Sequence, residues 1–316
     1  MEYPKVSIII VNWNCKHFLK DCLDSVFGQT YPNYEVFLVD NGSTDGSVEF
    51  VKKRYLKTKL IKNNKNYGFA EGSNIGIGFA LRDPKVKNIV TLNNDTKVDK
   101  NWLKELVNAQ ADIAQSKILT PNGQISSTGL LYSRNGLTFD RKSTHYDKEP
   151  FGATGVAVLF KREVLEDTKI NGDFFDRDFF CYSEDVDISF RARLRGWEIK
   201  YVPTSIVYHT GSATAGKESK FSIYYGHRNN IWVLIKNMPL KLLVKYSWKI
   251  FLAQIGSILL HVARGNGTII IKSKFDAIKQ IPKMLKKRKV IQGKRTISID
   301  KLDKLFVDKW VPERVL

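Results

Sequence analysis

At 316 residues and 36.2 kDa the chain has room for one large domain or two smaller ones. A composition 43% apolar and 26% charged excludes a wholly disordered or collagen-like chain, and three scattered cysteines exclude a disulfide framework or a cysteine-rich zinc site. The net charge of +19 is uneven: from Lys217 onward 22 basic residues face 6 acidic ones, a net of +16, while the first 216 residues carry 29 against 26. That asymmetry points to a polyanionic surface, either anionic lipid or nucleic acid.

Val6 to Val11 (VSIIIV) is a β-branched apolar run, the pattern of a strand buried on both faces. Phe18, Cys22 and Val26 then keep helical spacing up to Gly28. A second strand over Tyr34 to Val39 ends at Asp40-Asn41-Gly42-Ser43, and a helix begins near Ser47. Leu60-Ile61 reads as a third strand, Ser73 to Leu81 as a helix, and Ile89 to Leu92 as a fourth strand ending in Asn93-Asn94-Asp95. Strands alternating with helices at this spacing predict an α/β fold with a mainly parallel sheet covered on both faces. Ligands of such sheets sit beyond the carboxyl ends of the strands, so Asp40 and Asn93 to Asp95 are expected on one rim. Residues 121–150 read as loops or a small hairpin region. Val156 to Phe160 is again strand-like, Val186 to Leu194 is a helix stopped by Gly196, and Ile199 to Val202 is a last strand before Pro203. Leu240 to Ala263 is apolar and aromatic with Lys241, Lys245 and Lys249 four apart, a stripe on a helix. Its longest uncharged stretch is short of the roughly 20 residues that cross a bilayer. Phe275 to Leu285 leads into Lys286-Lys287-Arg288-Lys289. Amphipathic helices with basic flanks suit the membrane interface.

Three clusters could carry chemistry. Asp40 to Ser47 makes a strand-to-helix turn by composition alone, with Asp45 or Ser47 able to cap; a carboxylate at a sheet rim could also accept hydrogen bonds from a base or ribose. Asn93-Asn94-Asp95 is an Asx-type turn that could equally hold a hard divalent cation beside diphosphate oxygens. In Ser183-Glu184-Asp185-Val186-Asp187, capping accounts for Ser183 and Asp187 but less well for the adjacent Glu184 and Asp185, a pair suited to raising one pKa and supplying a general base. His209 is a structural residue or a ligand. Gly76-Ile77-Gly78 lacks the third glycine of a dinucleotide fingerprint and reads as a close-packed helix. No Walker loop, HExxH pair or Gly-x-Ser-x-Gly elbow occurs.

Together, VSIIIVNWN at 6–14, VDNGSTDGS at 39–47, NYGFAEGSNIGI at 66–77, LNNDT at 92–96, ATGVAVLFKREVL at 153–165, YSEDVDISFRARLRGWEIKYVP at 182–203 and YHTGSATAG at 208–216 resemble the inverting nucleotide-sugar glycosyltransferases of family 2, which have the GT-A fold. YYGHRNNIWVLIKNMP at 224–239 and KKRKVIQGKR at 286–295 look more narrowly like rhamnosyltransferase-type members that build bacterial surface polysaccharides on lipid-linked acceptors. The resemblance implies a GT-A domain over 1–216 followed by a basic amphipathic region over 217–316. It implies a nucleotide-sugar donor linked to dTDP, UDP or GDP, a lipid-linked saccharide acceptor, and Mg²⁺ or Mn²⁺. Asn93-Asn94-Asp95 takes the place of the family's Asp-x-Asp, with Asp95 the metal and diphosphate residue and Asn93, in place of the first Asp, left as a ribose contact. Asp40 falls at the base contact with Asn12 and Asn14 lining the same pocket. Asp185 corresponds to the catalytic base, with Asn94 and Glu184 among the donor contacts. His209 stands where some members add a metal ligand, and Arg228 is a diphosphate candidate.

Such a transfer needs a base to take the acceptor hydroxyl's proton and a cation to offset charge on the leaving diphosphate. The N-terminus lacks the features of a secretory signal, so the expected place is the reducing cytosol, with the basic end docked on the inner face of the membrane. A nucleic-acid binder is disfavoured because the charge lies beside apolar stripes rather than a reader module. A nucleotidyltransferase would want a Gly-rich basic loop where Asn12-Trp13-Asn14-Cys15 stands. A sugar-binding relative without turnover remains the third alternative.

Overall fold

A computed structural model describes residues 3–144, 148–211 and 219–310. The glycosyltransferase-like stretch at 212–216 and the expected boundary at 216/217 lie outside them. In chain order the first half runs β1 (Lys5–Asn12), α1 (Lys16–Phe27), β2 (Tyr34–Asp40), α2 (Ser47–Arg54), β3 (Lys59–Lys62), α3 (Gly68–Ala80), β4 (Val86–Asn93), β5 (Thr96–Val98) and α4 (Trp102–Asn108). There follow β6 (Ile113–Leu119), β7 (Ile125–Ser127), β8 (Leu130–Tyr132), β9 (Thr138–Asp140), β10 (Ala157–Lys161), α5 (Arg162–Thr168), a 3-10 turn (Arg177–Phe179), α6 (Glu184–Leu194) and β11 (Ile199–His209). Six helices follow among the described residues: α7 (Lys220–Asn237), α8 (Leu240–Lys245), α9 (Ser247–Ala263), α10 (Gly267–Lys279), α11 (Ile281–Gly293) and α12 (Ile299–Asp303).

The main sheet has nine strands in the order β3-β2-β1-β4-β10-β6-β11-β5, with β7 on β6. The α/β architecture is the expected one, but the sheet is mixed. β3, β2, β1 and β4 are parallel, as the βα alternation implies, whereas β10 enters antiparallel between β4 and β6, and β5 and β7 also pair antiparallel. Side chains alternate across β1: Ile8 and Ile10 join α1 and α4 in one core, and Ile9 joins α3, α5 and α6 in the other. Residues 121–150 do contain a hairpin, β8 with β9, outside the main sheet.

Four boundaries differ from expectation for identifiable reasons. α3 begins at Gly68, not Ser73, because its glycines are packing residues: a Cβ on Gly76 would stand 2.5 Å from Ile9 and one on Gly72 2.9 Å from Val11. β11 continues through Pro203 to His209, because the register shifts between Val202 and Ile206 and the proline sits in the bulge. The apolar segment 240–263 is two helices parted at Tyr246, and 275–285 is parted at Gln280, just before Pro282.

A third core joins the two halves. Tyr132 and Phe151 beside the hairpin, Phe190 on α6, Trp232 on α7, Met284 on α11 and Phe306 near the C-terminus pack together. Most of the C-terminal helices therefore pack on the α/β body. α9 is the exception: only Ala253 and His261 of its 17 residues are buried.

Candidate active site

Strand geometry brings the first residues together. Asn12 pairs with Asp40 across β1 and β2, and Val11 with Asn93 across β1 and β4, so the three polar strand ends share one rim. Asp40 and Asn93 flank β1, about 10 Å apart at the usual strand spacing. Asn12 is fully buried and is the hub: its Nδ2 donates to Asp40 Oδ1 (3.1 Å) and Ser43 Oγ (3.2 Å), and its Oδ1 accepts from Asn94 Nδ2 (2.8 Å). Asp40 is only 1% exposed, and its Oδ2 accepts from the Ser43 amide at 2.9 Å. Both its oxygens are thus committed within the pocket wall. Asn14, in a left-handed conformation (φ 51°), donates its backbone amide to Ser43 Oγ, and its Oδ1 accepts from the Thr44 amide, closing the loop above Asp40.

The second group lies on the same rim. The Asn93 amide donates to Val156 O (2.9 Å) at the entry to β10, and the neighbouring Gly155 amide donates to Asp185 Oδ2 (2.9 Å). Val186 N donates to Asp185 Oδ1 at 2.8 Å. Burial raises the Asp185 pKa against these two amides, and burial followed by the Asp185 charge pushes Glu184 well above the carboxylate range. Glu184 is buried, and its Oε2 has no hydrogen-bond partner among the described residues. On the far side, β11 delivers His209 opposite Thr96, and His209 Nε2 lies 3.1 Å from Asp95 Oδ1. The carboxylates at 40, 95 and 185 therefore converge around one rim, as the sequence pattern requires.

One expectation needs correction. Ser183 and Asp187 are not capping residues: Ser183 sits at the N-cap position with φ 65° and makes no side-chain cap bond, and Asp187 is fully buried in an ion network. Arg228, the diphosphate candidate, lies against the loop before α6. Its Nη2 donates to the carbonyls of Asp178 and Phe179, its Nε to Asn229 Oδ1, and its guanidinium lies 4.1 Å from the Trp232 ring centroid.

What holds Glu184 and Asp185 in place comes from α7 and α11. Asn229 Nδ2, fully buried, faces the carbonyls of Phe179, Cys181 and Tyr182 at 3.0, 2.8 and 2.7 Å. These bracket a strained loop in which Phe180, Tyr182 and Ser183 all have φ near +65°. The Phe180 carbonyl accepts from Ala70 N, and a Cβ on Gly68 (φ +78°) would stand 2.3 Å from that oxygen, so glycine is required there. Below the loop, Lys236 (0% exposed) pairs with both Asp176 and Asp187; Arg191 and Asn237 complete Asp187, and Lys287 bridges Asp176 and Asp178. Burial opposes ionisation of Asp176 and Asp187, but Lys236 with its basic neighbours holds both below the usual range. Sequence reasoning missed Asn229, Lys236 and Asn237. The available signal was their helical spacing inside an apolar stretch, which puts polar groups on a buried face.

The Asp95–His209 pair fits a divalent cation chemically. One carboxylate and one imidazole leave coordination positions for diphosphate oxygens and water, and an imidazole suits Mn²⁺ better than Mg²⁺. No cluster of three or more His, Cys, Asp or Glu able to hold a metal occurs among the described residues.

Comparison with known proteins shows the family and the fold. The family model "Glycosyl transferase family 2" matches residues 7–168, and "Glycosyl transferase family group 2" matches 88–267. The chain belongs to glycosyl transferase family 2. It is 27% identical over 230 residues to the O-antigen biosynthesis protein RfbC of Myxococcus xanthus, covering 67% of this chain and 18% of that protein. It is 23% identical over 235 residues to the low-salt glycan biosynthesis hexosyltransferase Agl10 of Haloferax volcanii, covering 71% of this chain and 73% of that one. The chain spans 18% to 61% of the length of four other curated relatives, RfbC among them. The mannosyltransferase PcManGT of Pyrobaculum calidifontis, solved with GDP-Man and Mn²⁺, superposes with a TM-score of 0.54 at 16% identity, covering 92% of this chain and 86% of that one. That likeness establishes a shared GT-A fold.

Proposed function

We propose that this family 2 protein is an inverting, metal-dependent hexosyltransferase. It moves a sugar, rhamnose being the candidate from the sequence likeness, from a dTDP-, UDP- or GDP-linked donor to a hydroxyl of a lipid-linked saccharide. The setting is cell-surface polysaccharide synthesis at the cytoplasmic face of the membrane. The observation that carries the reading is the rim itself: Asp185 is tethered to Gly155, whose neighbour Val156 is bonded to Asn93, two residues from the Asp95–His209 pair.

Asp185 is the general base. Its two oxygens accept backbone amides that fix the carboxylate's plane, and its raised pKa makes it a better proton acceptor than an ordinary aspartate. It takes the acceptor proton as that hydroxyl attacks the anomeric carbon from the face opposite the leaving nucleoside diphosphate. Asp95 and His209 would hold Mn²⁺ or Mg²⁺, which supplies charge neutralisation at the diphosphate. Asn12, Asn14, Asp40 and Asn94 form the nucleotide wall, Asp40 by holding Ser43 and Asn12 in place, and Asn93 and Glu184 face the donor between wall and base. Arg228 takes a positioning role at the 178–179 carbonyls. A covalent enzyme intermediate is not needed.

The test is a panel of dTDP-rhamnose, UDP-hexoses and GDP-mannose with a lipid-linked acceptor, reading the released nucleotide and the anomeric configuration. Nucleoside diphosphate and an inverted product support the reading. Free pyrophosphate would establish a nucleotidyltransferase instead.

A further inference from the structure

The lysine stripe expected at 241, 245 and 249 does not face outward as a set. Lys245 pairs with Asp303 at 2.7 Å and Lys249 with Asp308 at 2.5 Å, so the stripe is partly consumed in fastening the C-terminal segment. What α9 presents instead is apolar. Trp248, Phe251, Leu252, Ile255, Leu259 and Val262 are 40–64% exposed and fall on one helical face. That face is opposite the side carrying Ala253, Gln254 and His261, which meets α7 and α10 through the His227–His261 and Lys274–Gln254 contacts. The adjoining α10 adds an exposed ridge of Ile271, Phe275 and Ile278. Trp310 packs beside Trp248, with ring centroids 6.0 Å apart.

We infer that the outer face of α9, flanked by the α10 ridge, is an interfacial membrane-docking surface that lies in the headgroup region of an anionic bilayer. The inference rests on the membrane-side acceptor proposed above and identifies the residues that make the contact. Two observations select lipid as the occupant. Lys241 on α8, Lys272 and Lys279 on α10, and Lys286 and Lys289 on α11 are all exposed, and the region from Lys217 carries a net +16, so an anionic partner is favoured. A second copy of this chain would bring the same positive charge against it. No helix among the described residues is long and apolar enough to cross a membrane, and α9, at 17 residues or about 26 Å, is shorter than a roughly 30 Å hydrocarbon core. The helix therefore lies along the surface, with Trp248 and Trp310 at headgroup level, where indole rings partition.

The test is flotation of the full chain with vesicles of phosphatidylcholine alone or mixed with phosphatidylglycerol, at low and moderate salt. The wild type should float with the mixed vesicles. F251S/L259S, which alters only exposed side chains, should weaken that binding by at least about ten-fold with unchanged circular dichroism. Lys286→Gln and Lys289→Gln should each weaken it about five-fold at low salt and little at moderate salt. Three results overturn the inference: wild type that stays free of anionic vesicles, F251S/L259S that floats like wild type, or a lipid-free dimer in sedimentation that the same double variant abolishes. Binding of UDP, GDP and dTDP with Mn²⁺, measured on the same protein, separates the two readings. Nucleotide binding without vesicle binding removes only the docking surface, and vesicle binding without nucleotide binding supports the surface while removing the transferase.

Discussion

The catalytic rim and the C-terminal helices handle buried polarity in opposite ways. On the rim, two candidate carboxylates are held by backbone amides, Asp40 by Ser43 N and Asp185 by Gly155 and Val186 N. Under the helices, charged groups distant in sequence neutralise one another, Lys236 on α7 with Asp176 and Asp187, and Lys287 on α11 with Asp176 and Asp178. Backbone amides orient a carboxylate and lower its pKa, which burial of Asp185 more than offsets, whereas a buried ion pair locks its members in the charged form. The first arrangement suits a group that must exchange protons, the second a group that must not. Asp185 and Asp187 lie two residues apart on α6 and fall on opposite sides of that division, one with its pKa raised and the other lowered.

The sharpest way to break this comparison is to exchange the fates of those two aspartates. Asp185→Asn should reduce kcat by about 10²- to 10⁴-fold, because the amide cannot accept the proton; its single Oδ1 keeps only one of the two backbone bonds, so a stability cost of about 1–3 kcal/mol accompanies the loss. Asp187→Ala strands Lys236 without one of its two carboxylates. It should cost about 3–5 kcal/mol in urea unfolding, with any activity loss following the loss of folded protein. If Asp187→Ala is neutral for stability, the network is not what fastens the helices.

Asn229→Ala sits between the two regimes. Removing one amide leaves the carbonyls of Phe179, Cys181 and Tyr182 short of a donor and should cost about 1–3 kcal/mol. Because those carbonyls belong to the left-handed loop before Glu184, kcat should fall while donor KM holds, a split that general destabilisation does not produce. Glu184 tests the same loop through pH. Its pKa is raised in the folded state, so the fold binds a proton that the unfolded chain releases near pH 4.5, and stability falls as pH rises from there through the folded value. Glu184→Gln should therefore raise the melting temperature at pH 7–8, with the gain vanishing below about pH 4.

The rim was largely legible in the sequence because its residues terminate strands. Once VSIIIV, YEVFLV and IVTL are read as neighbouring buried strands, Asn12, Asp40 and Asn93 must share an edge, whatever the rest of the chain does. The antiparallel entry of β10 was not legible, since strand direction depends on where the connecting chain arrives and not on local periodicity. Nor was the burial of Lys287, which looks like an ordinary surface lysine in a basic run until the packing of α11 over Asp176 covers it. The glycines of α3 hid a helix start because propensity counts them as breakers, while the sheet beneath needs their missing Cβ atoms.

The smallest expected effect concerns the C-terminal segment, where both kinds of interaction occur side by side. Lys245–Asp303 and Lys249–Asp308 each have one partner about half exposed, so Lys245→Ala and Lys249→Ala should each cost no more than about 1 kcal/mol and lose even that at high salt. The segment is held instead by Phe306, 4% exposed, whose ring lies 5.1 Å from Tyr132 and 5.6 Å from Phe151. Phe306→Ala should cost about 3–5 kcal/mol. A lysine variant that costs as much as Phe306→Ala would mean the ion pairs, not the aromatic cluster, latch the segment to the hairpin. The lysines would then be unavailable to an anionic surface even transiently, and binding to anionic vesicles would rest on the cations of α8, α10 and α11 alone.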